Sequence, residues 1–274
     1  VILSQWQMTQ NQAVIATRSF YGTLQVSQRA HDHDQNKHYL ELRHGRVVHG
    51  SQMIDDSLSL KPTTYYGLDS GIGQVFKVLE PRADIDITAV GLGVGTLSVY
   101  ARRGDVLRFY EINPEVIKIA HTHFRYLKKS STNVETIAVD GRMGIQSLPS
   151  NSTDLLILDA FSSDAIPVHL LTLEAFDIYL DRLRKDGVIC VHISNNHLDL
   201  TPVLDGIAQH HDLSLRVINS TGKEDTFDAQ WGIFSTNTQF TAMLDEQTSA
   251  FQPENIKQIS TWTDHYSNLI HIIK

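Results

Sequence analysis

The 274-residue chain has a single cysteine, Cys190, and carries fewer basic than acidic residues, 23 Lys and Arg against 31 Asp and Glu. One thiol cannot close an internal disulfide or furnish a zinc site by itself. Its setting, "GVICVHIS", reads as a buried strand, where cysteine behaves as a small hydrophobe rather than a nucleophile. The formal net charge of -8 argues against a nucleic-acid partner, whose phosphates need a basic face, and suits a cationic small ligand. No apolar run approaches the roughly 18 residues that span a bilayer. No basic stretch followed by an apolar one marks a secretory leader. The chain opens "VILSQWQ", without an initiator Met, and is expected to be a piece of something longer. No repeat or low-complexity tract interrupts it. With 41% hydrophobic residues it has ample material for a core.

The first 60 residues read as strands. "FYGTLQVSQ" (20–28), "HYLELRHG" (38–45) and "RVVHGSQ" (46–52) are strand-like, separated by Gly and Asp/Asn clusters. "HDHDQNK" (31–37) reads as a hairpin tip; with no further ligand nearby, its alternating His and Asp are taken as a solvated turn rather than a metal site. "DSLSLKPTTYYGLDSGIG" (56–73) is a loop, and "GQVFKVLE" a helix stopped by Pro81. From residue 85 apolar strands alternate with amphipathic helices. "IDITAVGL", "VLRFYEI", "VETIAVD", "DLLILDAF", "GVICVHIS", "LSLRVINS" and "QWGIFST" are strands. "TLSVYARR", "PEVIKIAHTHF", "LLTLEAFDIYLDRL" and "TPVLDGIAQHH" are helices. Strands that are apolar throughout imply a mostly parallel sheet covered on both faces. The expectation is a doubly wound, Rossmann-like α/β domain over 80–274, preceded by a β-rich annex with its connecting loop and helix over 1–79.

Gly91, Gly93 and Gly95 end the first strand of that domain, at the edge where such sheets bind ligands. Glycine lets a ligand approach the backbone, and the following helix start offers free N–H groups. Twenty residues on, Glu111 ends the second strand and suits ribose hydroxyls. Asp140, in "VDGR" with Gly141, ends the third strand and suits an adenine amino group. Asp159 ends the fourth, with Asp164 shortly after it in "LDAFSSDAIP". Three acids closing three successive strands make a carboxylate-lined crevice. A diphosphate dinucleotide fits poorly: the third glycine falls one residue early, and acids repel phosphate. A positively charged nucleoside fits, which points to S-adenosylmethionine or its decarboxylated form, with no metal.

These residues resemble the spermidine synthase (polyamine aminopropyltransferase) family over nearly the whole chain, through "GLGVGT", "YEINPEV", "VDGR" and "LDAFSSDAIP". "FYGTLQV", "HGRVVHGSQ", "PTTYYGLDSGIG" and "WTDHYSNL" are similar to soluble domains of a bacterial branch fused to membrane segments. The resemblance implies a class I methyltransferase-type sheet, a cytoplasmic site and a homodimer or larger oligomer. It implies transfer of a propylamine group from decarboxylated S-adenosylmethionine to a putrescine-like amine, releasing methylthioadenosine. Asp159 would deprotonate the attacking amine, with Tyr65 beside it. Asp164 and Tyr66 would hold the amine. Gly91, Gly93, Gly95, Glu111, Asp140, Gly141, Gln52 and Tyr21 would bind the nucleoside.

Two departures stand out. The family's glycine turn carries an acid that binds the donor's amine; here the position is Val94. The family's Tyr, His or Gln, then Glu is here Tyr65-Tyr66-Gly67, an acid lost and an aromatic gained. Aromatic faces still attract a sulfonium. The departures leave open an S-adenosylmethionine lyase that releases methylthioadenosine and homoserine lactone with no acceptor. They also leave open a methyltransferase and a non-catalytic nucleoside sensor attached to a membrane protein. Among single residues, His44 and His49 are acid–base or backbone-bonding candidates. Trp231 reads as a pocket wall or core, Asn195 as a contact at a strand end, and Asp264 as a site residue or cap on a C-terminal helix.

Overall fold

The computed structural model describes residues 12–31, 34–160 and 167–274. Strands β1 (Gln12–Ser19), β2 (Gly22–His31), β3 (Asp34–His44) and β4 (Val47–Met53) form an antiparallel meander in that order. Its hairpins are tight, pairing Ser19 with Gly22, His31 with Asp34 and His44 with Val47. Strand β1 lies upstream of the first strand expected from the sequence. In the "HDHDQNK" stretch His31 pairs with Asp34; residues 32 and 33, and the side chains of 31–36, lie outside the described residues. Alternate residues Leu24, Val26 and Leu42 turn one face inward, as a half-buried antiparallel sheet requires.

Helix α1 (Gly71–Leu79) begins at Ser70, whose hydroxyl accepts from the Gly73 N–H. It buries Ile72, Val75, Val78 and Leu79. Although the sequence puts it on the annex side of a boundary at residue 80, it packs against β10, β11 and α6 of the larger sheet. That sheet contains β5 (Asp86–Val90), β6 (Val106–Glu111), β7 (Val134–Ala138), β8 (Thr153–Leu158), β9 (Leu183–His192), β10 (Ser214–Ser220) and β11 (Ala229–Ser235). The order is β10-β11-β9-β8-β5-β6-β7; β5 to β9 run parallel and β11 is antiparallel to both its neighbours. The remaining helices are α2 (Pro114–His123), α3 (Gly141–Gln146), α4 (Leu173–Arg182), α5 (Thr201–His211) and α6 (Thr238–Gln247). This is a Rossmann-like, mostly parallel sheet with a separate antiparallel annex.

Alternation along the central strands feeds two cores. Ile87, Ala89, Leu155, Ile157, Val188 and Cys190 face one, with α1, α2, α6 and the annex; Leu156, Leu158, Ile189 and Val191 face the other, with α4 and α5. From β5 the chain winds outward through β6 and β7, then returns to place β8 on the other side of β5. The crevice at the carboxyl ends of β5 and β8 is where this topology opens a ligand site.

Three local expectations are corrected. "TLSVYARR" forms only a 3-10 turn, Thr96–Val99, between positive-φ glycines at 95 and 104. The closing "WTDHYSNL" is not helical; a 3-10 turn, Leu269–Ile272, follows it. Helices α3 and α6 were not foreseen. Among the described residues no helix is long and apolar enough to cross a membrane.

Candidate active site

The glycine turn is held by its neighbours as much as by its own conformation. Gly91 and Gly93 have φ of 91° and 55°, and a Cβ on either would collide with backbone, the Asp159 carbonyl oxygen for Gly91 and that of His49 for Gly93. The turn is thereby wedged between the end of β8 and strand β4. Gly141, the first residue of α3, lies against the Val90 side chain, where a Cβ would also collide.

Around this turn the acids take distinct settings. Glu111 Oε2 accepts the Leu92 N–H at 3.0 Å and Oε1 accepts the Asn113 N–H at 2.9 Å. Burial pushes the Glu111 carboxyl above its ordinary pKa, the Asn113 and Leu92 donors oppose that rise, and nearby Asp159 adds to it. The Ile112 N–H adds a third backbone donor, and the carboxylate, with about four acceptor sites, still has one for a ligand hydroxyl. Asp140 caps α3 through Oδ1, accepting from Met143 N–H at 3.1 Å, and its Oδ2 lies 2.9 Å from His169 Nε2.

Asp159 follows β8 and sits between two side chains from other parts of the fold. Tyr66 donates its hydroxyl proton to Oδ2. His192, the last residue of β9, places Nδ1 2.8 Å from Oδ1. The His192 Nε2 is 2.7 Å from Ser194 Oγ, which also accepts the Gln230 N–H at 2.8 Å. Burial, then Asp159 itself, raises the Tyr66 phenol well above its ordinary pKa, so it stays protonated and keeps donating.

Two cavities meet here. One, of 290 Å³, is lined by Tyr21, His44, His49, Gly91, Gly93, Glu111, Asp140, Gly141, Asp159 and His169 among others. The other, of 610 Å³, is lined by His49, Tyr65, Tyr66, Gly93, Asp159, His192, Ser194, Asn195, Glu224 and Phe227 among others. Asp159, Gly93 and His49 belong to both walls. Burial, reinforced by His44 and partly offset by Asp159, lowers His49 to a pKa of about 4, so its ring is neutral at pH 7. Its buried Nε2 has no hydrogen-bond partner among the described residues. Tyr65 stands 4.9 Å from the His192 ring and 5.4 Å from Phe227.

Other expected residues fall elsewhere. Gln52 is corrected from nucleoside contact to structural tie: it lines neither cavity, its Nε2 donates to the Ser59 carbonyl at 2.8 Å, and its Oε1 accepts the Arg125 N–H at 2.8 Å. Trp231 is a core residue, fully buried and stacked 4.7 Å from His192. Asp264 neither reaches the crevice nor caps a helix; it grips Arg142 through both oxygens, at 2.6 and 2.8 Å, and accepts the Thr172 hydroxyl. Asn195 spends its Oδ1 on the His197 and Leu198 N–H groups while lining the larger cavity. Asp164 lies outside the described residues. Val94 is 0% exposed and points into the core, away from both cavities.

Sequence reasoning missed His192, Ser194 and His169. The signal for His192 was present: it ends the strand next to β8, on the same rim as Glu111 and Asp159.

No protein-family model matches the chain, and no curated protein does. Solved structures do match. A probable spermidine synthase from Corynebacterium glutamicum superposes with a TM-score of 0.61 at 15% identity, over 84% of this chain and 85% of that one. Spermidine synthase from Thermotoga maritima gives 0.55 at 15% identity, over 92% and 81%. A spermidine synthase solved with the transition-state analogue AdoDATO gives 0.54 at 14% identity, over 92% and 81%. The annex, the glycine turn and the seven-stranded sheet together have the fold of the spermidine synthases.

Proposed function

We propose that the protein transfers the aminopropyl group of decarboxylated S-adenosylmethionine to a small, putrescine-like amine. The observation that carries this reading is the place of Asp159, a carboxylate on the wall common to two cavities. The smaller cavity suits the nucleoside: Glu111 for the ribose hydroxyls, Asp140 for the adenine amino group, the glycine turn beneath, and Tyr21 at the side. The larger suits the acceptor, whose alkylammonium would lie between Asp159 and the aromatic faces of Tyr65 and Phe227. Asp164 is proposed to assist in holding it.

An alkylammonium, with a pKa near 10, has no lone pair to attack with. Asp159 takes one of its protons. The freed nitrogen pair then attacks the propyl carbon next to sulfur, the carbon–sulfur bond breaks, and its electrons neutralise the sulfonium as methylthioadenosine leaves. Tyr66, held protonated, donates to Asp159 Oδ2 and fixes the carboxylate. Holding both reactants in line supplies much of the rate.

A second reading has its own support. With Val94 turned into the core, the glycine turn offers no carboxylate for the donor's amine. This favours intact S-adenosylmethionine, whose own carboxylate would attack the γ-carbon and release homoserine lactone with methylthioadenosine.

One assay separates the two. Methylthioadenosine is measured with decarboxylated S-adenosylmethionine plus putrescine, with each alone, and with S-adenosylmethionine alone. The transferase reading expects product only from the first mixture, and a loss of about 10²- to 10⁴-fold in Asp159→Asn. Product from S-adenosylmethionine alone replaces it with the lyase reading. An Asp159→Asn rate equal to the parent's removes Asp159 as base.

A further inference from the structure

We propose that His192 is the positioning residue for Asp159, held in the tautomer that donates from Nδ1 to its carboxylate. The inference rests on Asp159 acting as the base. The Asp159 carboxylate fixes the direction of donation: ionised, it only accepts, so the ring nitrogen 2.8 Å from Oδ1 carries a proton. Ser194 Oγ accepts the Gln230 N–H at 2.8 Å on one lone pair and lies 2.7 Å from His192 Nε2, where its own proton is free to donate. Nε2 is then an acceptor, and the ring proton sits on Nδ1, 2.8 Å from the Asp159 carboxylate. A bare Nδ1 at that distance would set two acceptors against each other.

The ring has little freedom to do otherwise. Its side chain is 2% exposed. Trp231 stacks on it at 4.7 Å and an interplanar angle of 23°, and Tyr65 lies 4.9 Å away. Trp231 is itself pinned: a Cβ on Gly71 of α1 would come within 2.6 Å of its Cβ. With Tyr66 on Oδ2 and His192 on Oδ1, the Asp159 carboxylate is gripped at both oxygens, and each oxygen retains an acceptor position. Because donation runs from Ser194 through His192 to Asp159, the imidazole does not remove the proton that Asp159 collects. It orients the carboxylate, as an outer hydrogen-bond partner orients a ligating group.

The test has a readout that does not depend on turnover. Nitrogen NMR of the His192 ring in the ligand-free protein at pH 7 is expected to show a protonated Nδ1 and a bare Nε2, and Asp159→Ala, which removes the acceptor, is expected to erase that preference. In the transfer assay, His192→Leu is expected to lower kcat about 10- to 100-fold with little change in KM for the amine. His192→Asn, which returns an N–H near the place of Nδ1, should recover most of the loss. A bare Nδ1 in the parent, or an unchanged kcat in a folded His192→Leu, overturns the proposal. Should His192→Leu not fold, the Asn variant and the ring spectrum decide. If neither donor mixture yields turnover, the assignment of Asp159 as base fails, while the ring spectrum still reports the hydrogen-bond chain.

Discussion

Val94, in the middle of the glycine turn, packs its side chain against Gly50 of β4: a Cβ on Gly50 would lie 2.5 Å from Val94 Cγ2. Gly50 has a φ of 142°, so the strand bends there with no side chain in the way. The pair closes the annex onto the turn, and Val94 joins a core that includes Leu24, Val26 and Leu42. An apolar residue at this position is therefore a packing element.

Val94→Asp is expected not to create an amine-binding carboxylate but to bury one without a partner. Such a charge costs roughly 3–5 kcal/mol. The denaturant midpoint should fall sharply. A stable variant with tighter binding of the decarboxylated nucleoside would show that the side chain turns toward the cavity instead.

Gln52 gives the converse case. Gln52→Met leaves the Ser59 carbonyl and the Arg125 N–H without their partner, at a cost of about 1–3 kcal/mol. Urea unfolding should register that loss, while the KM for the nucleoside stays that of the parent. A raised KM with unchanged stability would return Gln52 to the binding site.

His49 makes stability depend on acid. Its folded pKa of about 4 lies below the ordinary 6.5, mainly through burial, with His44 adding and Asp159 opposing. Above pH 6.5 the ring is neutral in both states and contributes no pH dependence. As pH falls from 6.5 toward 4, the unfolded chain gains a proton that the folded one refuses, so stability declines, by about 3 kcal/mol at most. His49→Gln should flatten the curve of unfolding free energy between pH 7 and 5. An identical slope in the variant would mean that the ring titrates in the fold as it does in the unfolded chain.

The architecture was legible where a local rule and the topology agree. Short, largely apolar runs such as Ile87–Val90 and Leu155–Leu158 suit a sheet covered on both faces, and that is their setting. The acids at strand ends were legible because a Rossmann-like sheet brings its carboxyl edges to one rim. What the sequence hides is side-chain direction. Nothing local distinguishes Val94 facing a ligand from Val94 facing Gly50, or Gln52 in a pocket from Gln52 spanning 73 positions to Arg125. His192 was hidden by its strand: "GVICVHIS" reads as one apolar run, although the residue that ends it meets Asp159. The run after Gly95 was misread as a helix because its apolar spacing outweighed the two glycines that flank it.

The claim beneath all of this is that the carboxyl edge of β5, β6, β7 and β8 holds an adenosyl nucleoside through Glu111. Calorimetric titration of the ligand-free protein with methylthioadenosine tests it most directly. The expected result is one binding site in the parent and an affinity lower by about tenfold or more in Glu111→Gln, the scale of a lost hydrogen bond to a charged group. No binding heat in the parent, or equal affinity in the two proteins, would contradict it.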